Sequence, residues 1–256
     1  MFLKAFFVAT ILFFSFAPDY SYSQEKKGVK ASRTEVIEIT ANKHREEEDV
    51  GKIEAAGDPI EPVNRGTFAF NEALDDAVLT PISRGYKKVV PEVAREKVGN
   101  FFSNLTSPVT FVNSALQGDV NNTFTVFWRF FVNTTFGVGG LYDVASEVGL
   151  KEKNEDFGQT LGAYGAKDSS YIVLPILGPS TTRDVFGLVV DALTNPFNYL
   201  SGGTSAALTV GKGIQTRTDA LELTDEIDNT SFDPYSTYRS AYIQKRNDMI
   251  NNGESR

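Results

Sequence analysis

Apolar residues recur along this chain at helical spacing, and Pro, Gly and Asn cut the pattern into segments. Over residues 64–79, Phe68, Ala69, Leu74, Ala77 and Val78 mark the first helix. Pro81 opens a second segment, and Pro91 stands near the start of a helix running to about Phe102. Pro108 separates that helix from another over 109–117, and further helices are predicted over 120–133 and 143–148. Thr181 caps a helix over 183–193, which Asn195 and Pro196 stop. Residues 217–227 and 235–251 read as two polar, charged helices. Strand-like alternation is scarce. The best strand candidate covers residues 171–177, and Pro175 interrupts it. The chain is therefore mainly α, without an internal repeat.

Two of these helices reverse the usual polarity. A surface helix normally carries one apolar stripe and a broad polar face. In 120–133, Phe124, Val126, Phe127, Trp128, Phe130, Phe131 and Val132 cover most of the circumference, and Asn122, Thr125, Arg129 and Asn133 form one narrow polar line. In 183–193, Val185, Phe186, Leu188, Val189, Val190 and Leu193 dominate, with Asp184, Gly187 and Asp191 as the thin exception. Two readings are open at this level: central helices of a soluble core, with Arg129 paired to an acid, or helices that touch lipid. Neither reaches across ~30 Å of hydrocarbon at about 1.5 Å per residue. Trp128 beside Arg129 suits an interfacial depth.

The first 23 residues read as a secretory signal: Lys4, an apolar run over 5–17, and small residues before a cleavage after Ser23. Residues 24–57 carry charges of both signs and few large apolar residues, the composition of a disordered tether. The globular domain is expected over 58–251, followed by a short disordered tail over 252–256. The chain has no cysteine, so no lipidated cysteine is expected at the cleavage site and the protein is not expected to be a lipoprotein. A net charge of −8 argues against nucleic acid as a partner. Phe accounts for 20 residues against one Trp, the aromatic with no polar handle.

Motifs for catalysis fail on inspection. Asp156-Phe157-Gly158 matches the kinase tripeptide but lacks the loops that accompany it. Gly211-Lys212-Gly213 lacks the glycine and hydroxyl positions of a phosphate loop. The single histidine, His44, lies in the tether. With no Cys either, the usual triads and zinc sites lack a core member, and no enzyme, metal or cofactor is expected. At Arg183, behind Gly178-Pro179-Ser180-Thr181-Thr182, two readings remain: a plain capped helix, or a phosphate contact at a helix start.

Three stretches carry a family resemblance: residues 58–65 (DPIEPVNR), 129–137 (RFFVNTTFG) and 155–162 (EDFGQTLG). Residues 98–105, 113–118, 174–180 and 233–235, with Arg239 and 242–246, continue it. Together they resemble the MlaA/VacJ family of outer-membrane phospholipid-transport proteins, over about residues 58–250. The resemblance implies a ring-like single helical domain with an amphipathic channel, lodged in one leaflet of the outer membrane on its periplasmic side. It implies removal of mislocalised phospholipid from the outer leaflet, with trimeric porins and a soluble periplasmic lipid carrier as partners. On this reading Asn122, Thr125, Arg129 and Asn133 line a head-group lane beside the turn of Gly137, Gly139 and Gly140. Asn64, Arg65, Phe68 and Asn71 gate or brace the ring. The rival reading is a porin-binding scaffold that moves no lipid.

Overall fold

A computed structural model describes residues 58–166 and 170–251. The expected signal segment with its cleavage after Ser23, the tether over 24–57 and the tail over 252–256 lie outside the described residues.

The first helix, α1 (Glu61–Leu74), places Pro62 at its start, where a missing N–H is harmless. It runs on through one π-helical turn (Asp75–Leu79) into α2 (Thr80–Val89). Next come α3 (Glu92–Leu116), α4 (Val120–Thr135), the short α5 (Val144–Glu147) and α6 (Phe157–Ala163). An antiparallel hairpin, β1 (Tyr171–Leu174) and β2 (Gly178–Thr181), leads directly into α7 (Thr182–Thr194). A 3-10 turn (Pro196–Tyr199) precedes α8 (Gly202–Thr230), and α9 (Pro234–Ile250) ends the described chain. Side-chain caps define several starts: Asp119 accepts from the Asn122 N–H, Asp156 from Gln159 and Thr181 from Asp184.

The mainly α expectation holds, with three local differences. α3 passes through Pro108 without ending, so the two helices predicted there are one. Proline removes one backbone donor, and the hydroxyl of Thr106 bonds the Ser103 carbonyl at 2.8 Å in the same turn. α8 begins fifteen residues before the predicted start at Arg217, since packing against α2 and α3 overrides the poor propensity of its glycines. α6 was not anticipated at all. Pro175 lies in the hairpin turn just beyond β1, which is why the strand tolerates it.

α1, α3, α6, α7, α8 and α9 all contribute to the wall of one cavity of about 1620 Å3. The apolar core is small: Tyr171, Val173 and Tyr235, with Phe68, Tyr242 and Ile243 against them. The hairpin is held by side chains rather than by a third strand. Asn64 donates to the Tyr171 carbonyl (3.1 Å) and accepts from the Val173 N–H (2.8 Å). Two turns along α1, Asn71 donates to the Leu174 carbonyl (2.9 Å) and accepts from the Ile176 N–H (2.7 Å). Two helical turns rise about 10.5 Å and three extended residues about 10 Å, so the spacings match. Both amides act as surrogate peptide groups for the strand edge.

Asn64→Leu keeps the bulk and leaves a buried carbonyl and N–H unpaired. The expected loss is roughly 2–5 kcal/mol of unfolding free energy, read from denaturant unfolding in detergent.

Candidate functional site

The interior of the described residues is unusually polar. Among the described residues, side chains buried from solvent are mostly polar: Asn64, Asn113, Asn122, Arg129, Gln159, Thr160, Asp184, Arg217 and Arg246 are examples. Many large apolar side chains are exposed. On α4, Phe124 is 61% exposed, and Phe127, Trp128 and Phe131 are also open. Phe136 follows at 67%, and on α7 Phe186 is 66% exposed beside Val189 and Leu193. Eight such side chains in water forgo on the order of 10 kcal/mol of burial. An exposed apolar patch of this kind marks a membrane or partner surface. No helix among the described residues is long and apolar enough to cross a membrane.

The polar line of α4 turns inward, against the chain that follows it. Arg129 is buried and donates to Ser146 (2.9 Å), Asp143 (3.0 Å), Glu152 (3.2 Å) and the Leu150 carbonyl. Asn133 donates to Asp143 (2.9 Å) and accepts from the Ala145 N–H (2.9 Å). Asn122 donates to Ser114 (2.7 Å) and the Lys153 carbonyl (3.3 Å). Thr125 is half-buried and bonds the Asn121 carbonyl of its own helix. Burial pushes the Asp143 carboxyl up, but hydrogen bonds from Ser146, Asn133 and Arg129 outweigh it and hold the group below the ordinary range. None of these four α4 residues borders the large cavity. The turn after α4 needs its glycines: Gly139 and Gly140 take φ of 71° and 94°, and a Cβ on Gly137 would meet Asn133 Cα at 3.0 Å.

The proposed bracing residues share one junction. Arg65 grips Asp233 with two hydrogen bonds (3.0 and 2.7 Å), holds Glu61 at 2.7 Å and stacks 4.3 Å over the Tyr235 ring. Phe68 packs edge-on to Tyr235 at 5.7 Å. With Asn64 and Asn71 on the hairpin, all four tie α1 to β1 or α9.

A cluster the sequence did not reveal ties three other elements. Arg246 of α9 makes two hydrogen bonds to Asp156 (2.6 and 3.0 Å) and two to Asp184 (2.7 and 3.1 Å). Asp184 also accepts from Tyr242 (2.8 Å) and Arg183 (3.0 Å). Burial pushes the Asp184 carboxyl up, and the Arg246 guanidinium more than reverses it, so the group stays ionised. Arg183 also donates to the Ala166 carbonyl (3.1 Å) and does not border the cavity. The cluster requires close backbones. A Cβ on Gly187 would meet Gly158 Cα at 2.8 Å, and one on Gly158 would meet Arg246 Nη2 at 2.7 Å. A second buried pair, Arg217 to Asp75 at 2.7 Å through two donors, locks α8 to the π-helical turn. The only hint of these pairs in the sequence is an acid, such as Asp184, inside an otherwise apolar helix.

The cavity wall is mixed. It carries acids, among them Glu72, Asp76, Glu96 and Asp191, the cations Arg95, Lys153 and Lys212, small hydroxyl residues, and apolar Phe102, Leu105, Leu188 and Leu208. Such a wall solvates a charged group and an apolar one in the same space.

Known proteins share the sequence and the fold of this chain. The sequence model of the family described as MlaA lipoprotein matches residues 56–249. An uncharacterised protein of Rickettsia typhi is 40% identical over 192 residues, covering 74% of this chain and 76% of the relative. The "intermembrane phospholipid transport system lipoprotein MlaA" of Shigella flexneri is 37% identical over 201 residues, covering 77% and 80%. Its Escherichia coli counterpart of the same name is 36% identical over 201 residues. A solved structure described as "Structural basis for maintenance of bacterial outer membrane lipid asymmetry" superposes with a TM-score of 0.68 at 39% identity, covering 76% of this chain and all of that one.

One expectation is corrected by these relatives. The protein was expected not to be a lipoprotein, yet the family and its relatives from Shigella flexneri, Haemophilus influenzae and Escherichia coli are named lipoproteins. A lipid anchor is a property of the leader and its processing, upstream of the matched residues. Those names stand against the exclusion drawn from the missing cysteine.

Two outcomes follow from the buried charges. Arg246→Met takes the shared guanidinium from Asp156 and the fully buried Asp184, leaving Asp184 to Arg183 and Tyr242, and is expected to cost about 3 kcal/mol in denaturant unfolding. Burial raises Asp191 to about 6, although the Phe157 N–H and Asn113 bond it. Its unfolded value is near 4, so the folded state binds the extra proton between those values. This group's contribution to stability is fully present below about pH 4 and is lost as pH rises through 6. Asp191→Asn is expected to flatten the fall in thermal midpoint between pH 4 and 6.5 relative to wild type.

Proposed function

Because this chain belongs to the MlaA lipoprotein family, we propose that it is the membrane component of an intermembrane phospholipid transport system. It takes phospholipid mislocalised in the outer leaflet of the outer membrane and passes it to a soluble periplasmic carrier. The observation that carries this reading is the inverted polarity: an apolar belt on α4 and α7 outside, and a mixed-polarity cavity of about 1620 Å3 inside. A two-chain lipid has some thirty methylenes, each worth ~0.8 kcal/mol on leaving water, so free release costs roughly 20–25 kcal/mol. A conduit must therefore keep the tails in apolar surroundings while the head group moves along polar ones. The belt holds the protein in hydrocarbon and offers a surface for trimeric porins. The head group moves through the cavity rather than along Asn122, Thr125, Arg129 and Asn133, whose polar groups have protein partners or bond their own helix. Those residues, with Arg183 and the glycine turn, fix the frame around the path, and Asn64, Arg65, Phe68 and Asn71 brace the closure of α1 on α9.

The test fills the cavity. Gly99 borders it, and the nearest atom to a Cβ there is Gln215 Nε2 at 3.8 Å, so Gly99→Trp places a ring in the lumen without a backbone clash. Transfer of labelled phospholipid from proteoliposomes to purified carrier is expected to fall at least fivefold, with helicity and membrane insertion unchanged. Equal transfer by the variant would remove the cavity from the path. No transfer by inserted wild-type protein, with or without porin, would overturn the transport reading and leave a scaffold.

A further inference from the structure

Arg95 stands in the first turn of α3 and borders the cavity. Arg65, Arg84, Arg129, Arg183, Arg217 and Arg246 each pair with a carboxylate. Arg95 forms no such pair among the described residues, and its Nε is buried without a hydrogen-bond partner. Two features make this position costly. A cation in the first turn of a helix opposes the helix dipole, and a buried donor without an acceptor loses its hydration for nothing. The Arg95 charge acts through space on Glu222 of α8, which Lys87 holds directly, but Arg95 itself makes no ion pair among the described residues that would hold its own helix.

The surroundings define what it would bind. Gly99 and Ser103, on the next two turns of α3, leave room beside it, and Ser205, Thr209 and Lys212 of α8 border the same cavity. The planar guanidinium suits a tetrahedral phosphate oxygen pair. Glu92, Glu96 and Asp219 also line this wall. Their charge penalises a dianion more than a monoanion, which favours a phosphodiester over free phosphate. We propose that Arg95 receives the phosphodiester of a phospholipid head group inside the cavity. This rests on the transport reading above and adds the residue that recognises the lipid.

Full-length protein in maltoside micelles would be titrated with phosphatidylglycerol, with diacylglycerol of the same chains, and with inorganic phosphate. Bound ligand would be counted by native mass spectrometry. Arg95→Gln is expected to weaken phosphatidylglycerol retention about tenfold, and Arg95→Lys to restore part of it. Diacylglycerol retention should be equal in wild type and variant, and inorganic phosphate should not displace the lipid at matched concentration. The thermal midpoint of Arg95→Gln should equal or exceed that of wild type. Unchanged phosphatidylglycerol retention, equal loss of diacylglycerol, or a midpoint several degrees lower would each overturn the assignment. Displacement by inorganic phosphate would make this a free-phosphate site and overturn the head-group assignment. In proteoliposomes, Arg95→Gln should slow transfer about tenfold. Wild-type protein that binds phosphatidylglycerol through Arg95 and transfers none would sink the transport reading and leave this site standing.

Discussion

The fold depends on pairing polar groups in its interior. Many of its large apolar side chains are exposed and few are fully buried, so a conventional hydrophobic core does not hold it: the described core cluster is Tyr171, Val173 and Tyr235 with their neighbours. A buried polar group without a partner costs several times what a paired one contributes. Several contacts between elements among the described residues are accordingly made by hydrogen bonds. Arg246 joins α9 to α6 and α7, Arg217 joins α8 to the π-helical turn, Arg129 joins α4 to the following loop, and Asn64 and Asn71 join α1 to the hairpin.

That arrangement explains a feature that would be wasteful in a soluble protein. Buried ion pairs rarely stabilise more than an apolar replacement of the same shape. In hydrocarbon, however, apolar side chains have no water to escape, and packing them inside confers little. Directional bonds then decide which helix meets which. They also leave polar and charged side chains on the wall of the cavity, so the same kind of group that joins the helices lines the space between them.

Close backbone approach is the second constraint. Gly158 and Gly187 let α6 and α7 meet nearly in contact, which brings Asp156 and Asp184 within reach of one guanidinium. Any side chain at either glycine would push these carboxylates apart. The mixture of glycines and acids in apolar helices is thus one device, seen from two sides.

The sequence alone determined the helical class, the reversed polarity of α4 and α7, and the family. Each of these is local, readable from periodicity or from contiguous residues such as 129–137 and 155–162. Asn122, Arg129 and Asn133 could be seen to share a face, because 3.6 residues per turn fixes that. What that face meets could not be seen. The partners Asp143, Glu152 and Leu150 approach it only after the chain has reversed through the glycine turn. Arg95 and Arg246 look alike in the sequence, and only the tertiary structure separates a cation caged by two acids from one left open to a cavity. Helical periodicity sets which way a side chain points along its own element, whereas the charge it meets is set by contacts across long sequence separations.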